Sequence, residues 1–230
     1  MVKKNSTKAK KVEKASAKKE VHFIHSLREV LKSHKGETIT FGDIMHSLKE
    51  EGLIFLIAIV SFPTAIPIPT PPGFTTLFGI PLCVLTFQMI YNLESPWLPQ
   101  WLRKKRIKVE TFKGFVDKAE PVFEKLSGFL RPRYLHFTTR PSERIIGILA
   151  LICSISITLP ILFGNAVPSM GILIMSVGLL YQDGFVAFIG MVVSVVGIII
   201  ASTVVFIMSF FGLQFFYKIL DGQIMDKLPF

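Results

Sequence analysis

The chain has 230 residues, half of them hydrophobic, with 26 Lys and Arg against 16 Asp and Glu and a net charge of +10. A soluble domain of this length needs less apolar surface, and the charge is segregated rather than spread: no Lys or Arg occurs in 52–102 or 145–217. Apolar blocks separated by basic blocks exclude an ordinary soluble enzyme and point to an integral membrane protein.

Residues 1–20, "MVKKNSTKAKKVEKASAKKE", have no apolar stretch, so they read as a disordered, solvated basic tail attracted to anionic lipid head groups, and as no cleavable signal peptide. No aromatic residue interleaves these lysines, and nucleic acid is not an expected partner. Residues 21–51 read as two cytoplasmic amphipathic helices. The first carries Val21, Ile24, Leu27, Val30 and Leu31 at helical spacing. The second opens on the capping pair Thr40 and Asp43 and stops at Gly52.

The membrane domain is expected over 52–217. Its first uncharged run, Gly52 to Leu93, divides at "IPIPTPPGFTTLFGIP". The leg before the prolines is 15 residues, a helix of ~22 Å against a hydrocarbon core of ~30 Å. The leg after them, Phe74 to Tyr91, is nearer a full span. Pro67, Pro69, Pro71, Pro72 and Gly73 are therefore expected to break the helix at depth and return the chain to the face it entered. The basic linker 94–144 follows, with Trp97 and Trp101 as interfacial anchors and an amphipathic helix or helix pair over 109–130, broken near Pro121.

The second run, Ile145 to Gln182, repeats the design: a 15-residue leg, then a break from Pro160 to Pro168, then a leg ending at "QDG". Thr76 before Gly79 corresponds loosely to Ser169 before Gly171. Interrupted hydrophobic segments in corresponding positions are the sequence mark of a transporter-like site. Thr75, Thr76, Asn165 and Ser169 are candidate caps for the helices that follow the breaks. Binding of an anion or a polar head group at the positive ends of those helices is the functional reading, and the alternative is that these residues only hold two packed hairpins together. Gln88 and Asp183 are the other polar candidates; Asp183 reads as a turn residue or as an intramembrane acid. The third run, Gly184 to Tyr217, reads as a tilted span with an aromatic tail or as two legs turning near 197–203, with 218–230 as a C-terminal tail. Cys83 and Cys153 read as packing residues. The histidines show no metal-site spacing, and no catalytic residue, metal or cofactor is expected.

In order, "TFGDIMHSLKEEG", "IPIPTPPGFTTLFGIPLCVLTFQMI", "PWLPQWLRKKRI", "RPSERIIGILAL" and "LPILFGNAVPSMGILIMSVGLLYQDG" resemble the ExoD family of bacterial membrane proteins, over about residues 22–210. The resemblance implies a bacterial inner-membrane protein connected with exopolysaccharide synthesis and supplies no catalytic residues. The lysine-rich tail and the dense prolines depart from the family pattern. The expected fold is all-α and multi-pass. Two proline-broken, re-entrant or short hairpins form a loose repeat, with C-terminal hydrophobic helix or helices and interfacial helices. The N-terminus and linker are expected in the cytoplasm. The expected role is support of polysaccharide synthesis or export by moving an ion, lipid or lipid-linked sugar, without being an enzyme. The alternative is a scaffold for polysaccharide-synthesis proteins. Partners are the bilayer, those proteins and a second copy of the chain.

Overall fold

The computed structural model describes residues 26–32, 36–68, 71, 73–93, 95–130, 133–134, 139–159 and 164–220. The basic tail, Pro69, Pro72, Pro160 and residues 221–230 lie outside the described residues. Helix α1 covers 26–32 and buries Leu27 and Val30. Strand β1, Thr38–Thr40, pairs antiparallel with β2, Arg106–Lys108, with Ile39 opposite Ile107. This small ribbon qualifies the all-α expectation and ties the first amphipathic segment to the linker.

Helix α2 spans Phe41–Ala65. Thr40 caps it as expected: its Oγ1 accepts from the Asp43 amide at 3.2 Å, and its hydroxyl meets the Asp43 carboxylate at 2.5 Å. The helix does not stop at Gly52. It bends three residues earlier, at Lys49 (φ 52°, ψ −132°), and runs on into the apolar leg. Gly52 is buried against the preceding turn; a Cβ there would stand 3.0 Å from Leu48 Cβ. The absence of a side chain serves close packing at the bend rather than helix termination.

After the first break, α3 spans Phe74–Ile90. A short α4, Gln100–Arg103, leads to β2 and then to α5, Val109–Phe129. The expected break near Pro121 does not occur, and α5 is continuous through it. Pro121 is exposed, and the proline ring's fixed φ is compatible with a helix, so the chain stays helical at the loss of one backbone hydrogen bond. Phe112 and Val116 form the buried stripe of α5. Helix α6 spans Arg140–Thr158, α7 Ala166–Leu180 and α8 Gly184–Leu220. Helix α8 is one uninterrupted helix of 37 residues, without a turn near 197–203.

The two hairpins interlock. Helix α3 packs chiefly on α6 and α2 chiefly on α7, while the two legs of each hairpin touch each other far less. Helices α3 and α6 are antiparallel: Gly79 lies against Thr158, and Gly147 against Met89 and Ile90. Both breaks therefore sit at one end of the bundle, and the charged segments sit at the other. Exchanging the hairpins maps the α2–α7 pair onto the α6–α3 pair, so the loose sequence repeat has a counterpart in the packing.

Helix α8 lies along α7 through a seam of small residues. Its buried positions Ala187, Gly190, Ser194, Gly197 and Ala201 recur every three or four residues. They face Gly178, Met175, Gly171 and Pro168 of α7, or lie beside them. Small side chains let backbones approach closely where lipid supplies no hydrophobic drive between helices. Beyond Ala201 the helix leaves the bundle, with Phe206, Phe211, Phe216 and Tyr217 exposed.

Helices α6 and α8 are long and apolar enough to cross a membrane. Only 33% and 17% of their apolar windows are buried in the chain. A core helix of a soluble protein would be covered, so this outward apolar surface suits lipid.

Candidate functional site at the end of α6

The last turn of α6 leaves carbonyl groups without intrahelical partners. Three of them accept from two side chains, Thr76 in the first turn of α3 and Asn165 at the start of α7. The Thr76 hydroxyl of α3 donates to the Thr158 carbonyl at 2.8 Å. The Asn165 amide donates to the Leu159 carbonyl at 2.9 Å and to the Ile157 carbonyl at 3.4 Å. Gly79 makes this approach possible: a Cβ there would lie 2.8 Å from the Thr158 nitrogen. Cys83 Sγ stands 3.7 Å from the Thr158 hydroxyl on the same contact.

Thr76 and Asn165 are thus caps, but of the opposite helix end to that expected. Neither α3 nor α7 carries a side-chain cap at its own N-terminus. Gly73 occupies the cap position of α3 at φ 89°, with nothing within 4 Å of where its Cβ would be. A left-handed residue turns the chain there without any side-chain bond. Ser169 donates to the Asn165 carbonyl at 2.7 Å, within its own helix. Thr76 and Ser169, matched in sequence, therefore face different partners, as do Gly79 against α6 and Gly171 against α8.

The breaks also differ in burial. Ile66, Pro67, Ile68, Pro71 and Gly73 are exposed, so the described part of the first break is a tip. Gly164, Asn165, Pro168 and Ser169 are buried. Asn165 is 3% exposed, and its Oδ1 has no hydrogen-bond partner among the described residues. A buried acceptor left open costs about 1–3 kcal/mol. It lies where the negative end of α6 meets the start of α7.

Gln88 and Asp183 belong to the other end. Gln88 reads the backbone of Trp97 in both directions: Nε2 to the carbonyl at 3.1 Å and Oε1 from the amide at 2.5 Å. Asp183 is fully buried and caps α8, accepting from the Phe185 and Val186 amides at 3.1 and 3.3 Å. Arg133 stands 3.9 Å from its second oxygen. The turn reading of "QDG" holds, with Gln182 at φ 53° completing it. Among the described residues no group of His, Cys, Asp and Glu could hold a metal ion.

These features define a class of mostly helical protein, in which two interlocked helix pairs are closed by a small-residue helix contact and two helices are long and apolar enough to cross a membrane. Residues 23–203 match the family described as "Exopolysaccharide synthesis, ExoD", and the chain belongs to the ExoD family. It is 30% identical to an uncharacterized protein of Synechocystis sp. over 175 residues, 75% of this chain and 82% of that one. It is 29% identical to "Protein ExoD" of Rhizobium meliloti over 164 residues, 69% of this chain and 67% of that one. No solved structure matches it.

Proposed function

We propose that the protein supports exopolysaccharide synthesis or export from the bacterial inner membrane, as a transporter-like protein whose site is the junction of the two breaks. Helices α3 and α7, of 17 and 15 residues, reach ~25 and ~22 Å, short of a ~30 Å hydrocarbon core. Entering from the basic, cytoplasmic end, they end at depth, as short or re-entrant hairpins do. Backbone interrupted at that depth persists where it is buried in protein or lines a cavity. The observation that carries the reading is the unpaired, buried Asn165 Oδ1 beside the α6 terminus. An acceptor in that position suits a donor-bearing solute: a cation, or a hydroxyl of a lipid-linked sugar. The test compares exopolysaccharide output in cells carrying wild-type protein or Asn165→Asp at equal membrane abundance, with cation flux in proteoliposomes. Wild-type output from the variant, with no flux from either protein, would remove the reading.

The orientation is tested by Lys118→Cys in a chain lacking Cys83 and Cys153. An impermeant periplasmic thiol reagent is expected to leave it unlabelled, and labelling would invert the topology. A scaffold role has one observation in its favour. Helix α5 exposes Phe115, Val122 and Phe129 between Lys113, Lys118 and Lys125. Unchanged polysaccharide output after Phe115→Ser and Val122→Ser would count against that role.

A further inference from the structure

At the end of the bundle opposite the breaks, a cavity of about 380 Å³ opens between the first turns of α2, residues 95–98 and α4. His46, Ser95, Trp97, Gln100 and Arg103 line it, over a buried floor of Met45 and Leu98. Three contacts fix its walls. The Gln88 amide holds the Trp97 backbone from both sides. The Phe41 amide donates to the Lys105 carbonyl at 2.9 Å. Gly42 lets Arg103 lie against α2, because a Cβ there would meet the Arg103 carbonyl at 3.1 Å.

Among the described residues the lining is rich in donors and contains no acid. The side chains of His46, Ser95, Gln100 and Arg103 make no hydrogen bond or ion pair to any described residue. Asp43, on the adjacent turn, is engaged by the Thr40 hydroxyl. Arg103 brings a planar fork of five N–H groups, suited to bidentate contact with a phosphate, and Ser95 and His46 add single donors. Trp97 and Trp101, 63% and 73% exposed, flank the mouth as residues at a membrane–water boundary do.

We propose that this cavity binds a phosphate-bearing anion, presented by the head group of an anionic lipid or by a free phosphate compound. The inference rests on the membrane reading and is independent of the break site, because binding is measured without transport or polysaccharide output. Both tryptophans of the chain line or flank the cavity, so intrinsic fluorescence of the full chain reports occupancy. In neutral detergent, short-chain phosphatidic acid is expected to give a saturable change, with short-chain phosphatidylcholine at least tenfold weaker. Arg103→Gln is expected to weaken binding at least tenfold and His46→Gln about threefold, with helix content unchanged. Lys104→Gln with Lys105→Gln, beside the cavity but not lining it, is expected to change affinity less than twofold. Inorganic phosphate saturating as tightly as the short-chain lipid supports the site with a soluble ligand; much weaker phosphate supports a lipid head group. The proposal is overturned if no saturable change occurs or if Arg103→Gln titrates as wild type. It is also overturned if the Lys104, Lys105 pair weakens binding as much as Arg103→Gln does.

Discussion

The two breaks occupy matching places in the repeat and are built from different materials. The first spans Ile66 to Gly73 and depends on residues that cannot propagate a helix. Each proline lacks a donor, so fewer backbone groups need partners, and the described part of the tip stands exposed without polar side chains. The second depends on one amide. Asn165 folds back onto the α6 terminus and satisfies two carbonyls from a buried position. A chain break can thus be tolerated by removing polar groups or by pairing them, and here the pairing solution leaves one buried polar atom, Asn165 Oδ1, without a partner among the described residues.

Substitutions can break that comparison. Asn165→Leu is expected to have the largest effect, leaving two carbonyls unpaired at about 1–3 kcal/mol each. Thermal unfolding in detergent measures it, and a loss below 1 kcal/mol would mean water replaces the amide freely. Next is Gly79→Val, expected to cost about 1–3 kcal/mol by forcing α3 from the α6 backbone. Cysteine crosslinking between α3 and α6 should fall with it. Thr76→Val removes one hydrogen bond from the Thr158 carbonyl and is expected to cost about 1 kcal/mol, with topology unchanged by thiol labelling. Smallest is Pro67→Ala at the exposed tip, expected within about 0.5 kcal/mol of wild type. If Pro67→Ala costs more than Thr76→Val, the proposed division between tip and junction is wrong.

Much of the helical layout was legible in the residues. Charge-free runs and prolines placed the helices on either side of each break, and the Thr40–Asp43 pair and "QDG" marked ends that the structure reproduces. Which break is buried was not legible, because proline count reports where a helix ends and says nothing of what covers the end. The direction of the caps was equally hidden. Thr76 sits where it could serve α3, and only the arrival of α6 from 82 residues away gives it another carbonyl. The β1–β2 ribbon escaped because three residues in each strand are too few to show alternation. Gln88 stood out as a lone amide in an apolar helix, yet its target, the Trp97 backbone, has no side-chain signature. His46 and Arg103 gave no signal beyond their charge, since the cavity arises from three segments brought together by folding.

The small-residue seam has a consequence for the order in which the chain assembles. Helices α7 and α8 are joined by the turn Tyr181–Asp183, so their contact is local and can close as soon as both are made. Helices α2 and α3 leave the ribosome first, but their chief partners, α7 and α6, come later. During that interval the Gly79 groove and the Thr76 hydroxyl lack the α6 terminus they fit. The helix pair α2–α3, though made early, is therefore among the last parts to reach its native contacts.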